Sequence, residues 1–444
     1  MPNNRPIAVV DLAYGDCGKG TIVDFLTRRC QATAVVRFNG GPQAGHNVVT
    51  PDGRHHTFSQ FGSGSFFPGV KTVLSRFMLI EPYALLNESL ALHEIGVADP
   101  LGRLVIDRNC LVITPAHQAA NRLRELVRGD GAHGTCGMGV GEAVQDAIEH
   151  PDLALRANAL NDVTTVRKRL LAIRDLKIAQ IGGAFNTLSN HPRAVQSISV
   201  LLNDDWIDVA VDVYQTVASQ AAIADELTIA EILRSGRIIF EGAQGILLDE
   251  RYGFHPHTTW STTTFANAQT ILHEAGVADP PVKVGVIRTY FTRHGLGPFV
   301  TEDSSMSSRM TERFNGDTGW QGRFRHGSFD AVAARYALSV CGGLDALAVT
   351  HMDRLHLLDP RICTAYEELS GNRIEAIPLE CGEDLAAREL LTRRLNQCRP
   401  VYEAIERSPA EFIDRLEELL EVKVGITSSG STADDKVMTD RALT

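Results

Sequence analysis

The sequence predicts an α/β fold with a mainly parallel central sheet flanked by helices. Two observations carry this: short apolar runs ending in glycine-rich or polar loops recur along the chain, and several intervals between them show helical patterning. In order, the strand candidates are Ile7–Val10, Thr33–Arg37, Leu104–Ile113, Arg237–Phe240, Val282–Thr289, Leu344–Thr350 and Val422–Ile426. The helix candidates are Ile22–Arg29, Tyr83–Ile95, Asp330–Val340 and Pro409–Glu421. No repeat, low-complexity tract or Pro/Ser-rich linker divides the 444 residues, so 1–444 reads as a single elaborated domain. Residues 302–328 are polar, glycine-bearing and aperiodic, too long for a routine connector, and read as a mobile substrate loop, with a plain surface insertion as the alternative.

The bulk properties exclude several classes. A composition 44% hydrophobic can bury one large core or two ordinary ones. A formal net charge of −11 argues against nucleic acid and anionic lipid as partners, leaving small molecules. The eight cysteines (17, 30, 110, 136, 341, 363, 381 and 398) form no CxxC pair, which suggests neither zinc ribbon nor disulfide framework and fits a reducing cytoplasm. No apolar run approaches the roughly 18 residues that cross a bilayer, and the first residues carry no secretion signal.

Ligands of parallel sheets gather at the carboxyl ends of the strands. After Ile7–Val10 comes DLAYGDCGKGTIVDFLTRR, in which Gly15, Gly18 and Gly20 form a tight turn before a helix. Glycines let backbone approach a phosphate, the helix start aims free N–H groups at it, and Lys19 adds a charge. The spacing is not GxxxxGK[ST]. Asp16 is an acid inside an anion-attracting loop, a placement that makes sense if it binds a metal ion or takes a proton from substrate. The next strand ends in FNGGPQAGHNVV, where Gly40, Gly41 and Gly45 surround Gln43 and His46, in position for His46 to face Asp16.

These residues resemble the adenylosuccinate synthetase family. GDCGKGTIVDFLT resembles its GDEGKGK-IVD-LLT signature, and RFNGGPQAGHNVV its second signature ending in GGxNAGHT. The likeness continues in order through GTCGMGVGEAVQD at 134–146, FEGAQGILLDERYGFHPHTT at 240–259, TRHGLGPFVTE at 292–302, FDAVAARYALSVCGGLDALAVTHMD at 329–353 and ITSSGS at 426–431. The resemblance implies a P-loop-like GTP-dependent ligase fold, and a reaction in which GTP phosphorylates the 6-oxygen of a purine nucleotide and aspartate then displaces that phosphate. It implies Asp16 as base, His46 and Lys19 as catalytic partners, and Mg²⁺ bound by Asp16 and the Gly45 backbone. Gly18, Gly20, Asp353, His351, Ser428 and Gly430 would bind GTP, with Asp353 accepting the guanine N1 and N2 hydrogens. Gln43, Thr135, Gln244 and Thr259 would contact the purine nucleotide substrate, and Arg323 and Arg325 the amino acid. Family members are usually homodimers in the cytoplasm, and the same is expected here.

Departures cluster on the acceptor side. The family's arginine that clamps the nucleotide 5′-phosphate, donated from the neighbouring subunit, falls on His150, the second threonine of GTT is Cys136, the next arginine is Met138, and an asparagine is Gln43. TKLD becomes THMD, which places His351 where a lysine flanks guanine. The TTGRRRR loop is DTGWQGRFRHG: counted back from Phe329, the key arginine positions fall on Gly322 and Phe324, and a one-residue slip restores Arg323 and Arg325. These changes keep open a paralogue that succinylates GMP or dGMP, although phage-type relatives of that kind typically lose the aspartate present here as Asp16. A non-catalytic guanine-nucleotide-binding regulator, and a metal-dependent hydrolase using Asp16, His46, His255 and His257, are the alternatives from other classes.

Overall fold

Runs such as IAVVD, IIFE and ALAVT lack a polar face, and each forms a strand in which every residue is buried, as strands covered by helices on both sides require. The computed structural model describes residues 5–310, 312, 314–316, 319–379, 384–406 and 408–439. Among them the central sheet has ten strands: β1 (Ile7–Asp11), β2 (Ala34–Arg37), β3 (Lys71–Leu74), β4 (Leu104–Asp107), β5 (Ala222–Ala224), β6 (Ile238–Glu241), β7 (Val282–Arg288), β8 (Ala346–Thr350), β9 (Val424–Ser428) and β10 (Lys436–Met438). Their spatial order is β10-β9-β8-β7-β1-β6-β2-β3-β4-β5. All neighbours are parallel except β9 and β10.

The order reverses at β1. The chain first builds outward on one side, returns to insert β6 between β1 and β2, and then crosses β1 to add β7, β8 and β9 on the other. Such a switch point opens a crevice at the carboxyl ends of the strands. Asp11, Arg37, Glu241, Arg288, Thr350 and Ser428 all stand at those ends.

Two apolar clusters fill the layers. One surrounds β1 and β6–β9 and includes Ile22, Leu26, Phe240, Val286 and Phe412; the other lies beyond β3 and β4 and includes Leu92, Leu123, Leu170 and Tyr214. The second is covered by helices Pro82–Glu94, Pro115–Arg128, Val163–Ile181 and Asp205–Gln220. Caps fix their starts: Thr114 and His117 form a capping box, and Asp162 accepts from the Thr164 and Thr165 amides.

Two expectations differ from the structure. Leu104–Ile113 is not one strand, because the Asp107 carboxylate accepts the Asn109 amide at 2.8 Å and turns the chain; Leu111–Val112 then pairs with Leu79–Ile80 instead. The aperiodic 302–328 segment contains helix Ser304–Arg309 and strand Phe324–Gly327, the latter antiparallel to Phe291–His294. Its residues 311, 313, 317 and 318, like Cys381, lie outside the described set.

Glu81 caps Pro82–Glu94 by accepting from the Tyr83 and Ala84 amides at 3.2 and 2.8 Å. Burial nevertheless holds its carboxyl up at about 7, against these donors. A carboxyl raised on folding contributes stability below its unfolded value, and that contribution disappears as pH rises through the folded value. Glu81→Gln keeps an acceptor for the cap. Its melting temperature is therefore expected to gain several degrees relative to wild type between pH 5 and pH 8; a difference constant across that range would show that Glu81 titrates ordinarily.

Candidate active site

The first loop is organised from within by Asp11. Its buried carboxylate accepts from the amides of Ala13 (2.9 Å), Gly15 (3.1 Å) and Cys17 (2.7 Å), and from Lys19 Nζ (3.3 Å). Lys19 also donates to the Gly15 carbonyl at 2.7 Å. Helix α1 (Lys19–Cys30) begins at Gly18, φ 91°, with no side-chain cap, so its first-turn N–H groups remain available to an anion. Asp11 escaped the sequence reading, although an acid ending an otherwise apolar strand was a visible signal.

Asp16 follows in the same loop and is partly buried. Arg288, at the end of β7, holds it through the backbone: Nε donates to the Asp16 carbonyl at 2.6 Å, while Nη1 donates to Tyr290 Oη at 3.0 Å and to Glu312 Oε1 at 2.6 Å. The Asp16 carboxyl itself is raised, first by desolvation and then by Asp11, against Arg288, His294 and Lys19. A carboxylate with a raised pKa is a stronger base.

His46 lies at the start of a hairpin, His46–Val49 against His55–Phe58. Its Nδ1 is 2.6 Å from Glu241 Oε1, at the end of β6. Glu241 also accepts from the Ser63 amide at 2.9 Å and from the Ser63 hydroxyl. Burial pushes Glu241 up, but the His46 hydrogen bond and the Arg37 charge prevail and leave it at about 2. Burial likewise lowers His46, to about 4, with Glu241 opposing. At neutral pH this gives an ionised Glu241 that accepts a hydrogen bond from the Nδ1–H of a neutral imidazole, which leaves Nε2 as the ring's second polar atom.

The two loops meet. A Cβ at Gly20 would lie 2.8 Å from His46 Cβ, and one at Gly15 would lie 3.2 Å from the Gln244 backbone. Close approach thus requires glycine at Gly20, and at Gly15 it adds to a φ of 110° that already favours glycine. Gln244 has φ 57°, and its Oε1 is buried without a partner among the described residues, as are both polar atoms of the Gln43 amide. Orphaned buried amides cost about 1–3 kcal/mol each, and are the pattern of a site awaiting a polar ligand. Thr259 sits nearby in chain on a loop that Asp249 braces through Arg251 and Thr263 amides, with its own amide donating to the Leu248 carbonyl at 2.8 Å. The Thr135 hydroxyl accepts from Asn121 at 3.1 Å.

On the opposite side of the phosphate loop, Thr350 donates to the Cys17 carbonyl at 2.7 Å and so ties the end of β8 to it. His351 follows in a left-handed conformation, φ 59°. Asp353 is half-exposed with Arg354 Nε at 3.3 Å. Ser428, at the end of β9, donates to the Gly430 carbonyl at 3.1 Å; Lys436 braces the same carbonyl at 3.0 Å, and Thr21 of α1 donates to Ser431 at 3.0 Å. Gly18 and Gly20 therefore lie between the Asp353–Ser428 side and the Gln43–Gln244 side. Gly45, on the His46 turn, is exposed.

Strand Phe324–Gly327 sends its residues to alternate faces. Phe324 is buried edge-on to His294 and His326, while Arg325 donates to Glu302 at 2.8 Å and to the Gly297 carbonyl at 3.0 Å. Arg323 is 77% exposed, 3.8 Å from Glu302. His150 ends helix Val140–Glu149, about 15 Å along the axis from Gly139. His257 Nδ1 lies 3.1 Å from the His133 carbonyl, and among the described residues no group of three His, Cys, Asp or Glu side chains could hold a metal ion, so the hydrolase alternative has no ligand set.

A doubly wound sheet that brings a glycine-rich loop, a raised carboxyl and a carboxylate-held imidazole to its switch point has the build of an α/β enzyme with its site at the strand ends. The family model for adenylosuccinate synthetase matches residues 8–437. Adenylosuccinate synthetases of Psychromonas ingrahamii and Blochmanniella pennsylvanica are 32% and 30% identical to the chain, each over 97% and 96% of both sequences respectively. The chain belongs to the adenylosuccinate synthetase family, GTP-dependent ligases that form a C–N bond. Its fold is similar to the fully ligated adenylosuccinate synthetase of Plasmodium falciparum, with TM-score 0.80 and 19% identity over 99% of this chain and 100% of that one. It is similar at lower TM-score, 0.62 with 17% identity over 98% and 95%, to the cyanophage S-2L succinoaminodeoxyadenylate synthetase bound to dGMP and dATP.

Proposed function

We propose that the switch-point crevice joins L-aspartate to the 6-position of IMP, using GTP and passing through a 6-phosphoryl intermediate. The observation that carries the assignment of roles is the meeting of two strand-end turns, Gly20 against His46, with the Lys19 charge acting on both the His46 ring and the Asp16 carboxyl. Asp16 takes the N1 proton of the purine lactam, the freed 6-oxygen attacks the γ-phosphorus, and GDP leaves. Lys19 and the first-turn amides of α1 hold the charge that builds on the phosphoryl group, with His46 Nε2 on its other side. The amine of aspartate then attacks C6, phosphate departs with the C–O bond electrons, and the surplus amine proton is lost.

Asp353, Ser428, Gly430 and His351 form the guanine end of the crevice, and Gln43, Gln244, Thr135 and Thr259 the purine-acceptor end. The Asp16 carboxylate accepts no hydrogen bond from a described residue, and the Gly45 carbonyl is exposed beside His46; this donor set suits Mg²⁺, which takes few protein ligands and completes its shell with water and phosphate. Bound there, Mg²⁺ would neutralise charge on the nucleotide phosphates. The seven described cysteines are all free, in keeping with a cytoplasmic enzyme, and a homodimer is the expected assembly.

Phosphate release from GTP and Mg²⁺ should be measured with IMP, dIMP, GMP and dGMP, with and without aspartate, with mass analysis of the product. Release that needs IMP and aspartate together and yields adenylosuccinate is expected. Release with GMP or dGMP alone would move the acceptor to a 2-amino purine, and no release with any of the four would overturn the ligase reading.

Arg323 is placed to reach a carboxylate from its exposed position, and Arg323→Ala is expected to raise the KM for aspartate roughly tenfold or more, the scale of one lost charge-assisted hydrogen bond. The KM for GTP should stay within about twofold. Equal rises for both substrates would place Arg323 outside the amino-acid site.

A further inference from the structure

Three arginines punctuate helix Pro115–Arg128, and two have carboxylate partners. Arg124 pairs with Glu142 at 2.7 Å and Arg128 with Glu125 at 2.6 Å. Arg122, half-buried and the first of the three along the helix, has none among the described residues: its Nε donates to the Gly137 carbonyl at 3.0 Å, and Nη2 reaches only the Gln118 amide oxygen at 3.4 Å. Removing a guanidinium from water without a counter-ion is costly, and desolvation accordingly holds Arg122 below the usual arginine range.

A second cation approaches the same place. The Arg193 guanidinium carbon lies 3.8 Å from the centre of the Trp320 ring, and stacking engages its face while leaving the in-plane N–H groups available. Gly137, φ 72°, is where the two meet: a Cβ there would come within 2.9 Å of Trp320 and 3.3 Å of the Arg122 stem. Beside it the Thr135 hydroxyl is held by Asn121. Glu125, the acid next to this loop, is already balanced by Arg128 and by the Gly134 and Thr135 amides at 2.9 and 3.2 Å, so it does not oppose an incoming anion.

We propose that Arg122 and Arg193, converging through Trp320 on the 134–138 loop, bind the 5′-phosphate of the purine nucleotide substrate. The proposal rests on the ligase reading above. A phosphate monoester near pH 7 carries close to two charges, which two guanidiniums with free in-plane donors match. Within one chain it also accounts for the positions where the family pattern is broken. Met138 and His150 stand where the family carries arginines, the second of them donated from the neighbouring subunit.

Steady-state kinetics of Arg193→Gln, Arg122→Met and Arg122→Lys against IMP, GTP and aspartate test this, together with calorimetric binding of IMP and of inosine, which lacks the phosphate. Arg193 is exposed, so Arg193→Gln should fold as wild type even if Arg122→Met does not. Each loss is expected to raise the KM and Kd for IMP roughly tenfold, with Arg122→Lys intermediate, and to leave GTP and aspartate within about twofold. Inosine should bind wild type and variants alike. A rise confined to aspartate, an unchanged affinity for IMP, or an equal penalty for inosine would each overturn the assignment. If wild type forms no C–N bond in the product screen, the ligase reading fails by itself, whereas the comparison of IMP with inosine still decides whether these arginines hold a phosphate.

Discussion

Asp16→Asn is expected to lower kcat by about 10²–10⁴-fold, the range for loss of a positioned general base, while GTP affinity changes by no more than about threefold. The structure separates these two effects. Anion binding falls mainly to the loop amides, Lys19 and the start of α1, all arranged by Asp11, which stays, and asparagine keeps a side-chain oxygen for Mg²⁺. Arg288 grips Asp16 through its backbone carbonyl, a hydrogen bond that the side-chain change leaves in place. Asparagine has nearly the same shape but cannot accept the N1 proton. Kinetics with saturating IMP and aspartate, set beside direct GTP binding, check the split, and a large loss of GTP affinity would mean that Asp16 acts mainly as a binding group.

His46→Asn is expected to cost a comparable 10²–10⁴-fold in kcat, and Glu241→Gln about 10²-fold, with KM values close to wild type. Glu241 touches no substrate in this scheme. It fixes the imidazole by accepting from Nδ1, and its negative charge favours any proton that the ring takes up. Without it the pKa of His46 falls further, so the Glu241→Gln pH–rate profile should shift toward acid, which a residue with a purely structural role would not produce. The pair also sets acid stability. His46 is depressed from 6.5 to about 4 and Glu241 from 4.5 to about 2, so each contributes stability above its unfolded value and loses it as pH falls, beginning below about pH 6.5. His46→Asn should flatten the fall in melting temperature between pH 6.5 and 4. An unchanged slope, or a Glu241→Gln variant with wild-type kcat, would remove the dyad from the mechanism.

Most of the parallel strands were legible because burial on both faces makes their runs mainly apolar: Val282–Thr289 against the observed Val282–Arg288, and Leu344–Thr350 against Ala346–Thr350, differ only at their ends, whereas the short Lys71–Leu74 and Ala222–Ala224 were missed. The layer containing Val163–Ile181 and Asp205–Gln220 was not legible, since the first of these carries charged residues around much of its surface and buries only a narrow stripe, Val166, Leu170, Ile173, Lys177 and Ile181. Local spacing made the glycine-rich turn before α1 legible, because glycine, lysine and acid all lie within one turn. It could not reveal Glu241 as the partner of His46, 195 residues away, or Arg288 as the clamp on Asp16, 272 residues away. Each becomes meaningful only when strand order places it at the crevice. Arg122 is a third example, since nothing on its own helix distinguishes it from Arg124 and Arg128 except the missing counter-ion.

The insertion of β6 between β1 and β2 has a consequence for biogenesis. A nascent chain that has emerged only to residue 237 already contains the glycine-rich turn and the imidazole, yet the strand that hydrogen-bonds to both β1 and β2, and that ends in the carboxylate orienting the ring, is still to come. Competence to hold nucleotide productively is therefore acquired late in synthesis, after the ribosome has delivered more than half of the polypeptide, and the N-terminal half must wait with an open seam that is a natural point of attachment for chaperones.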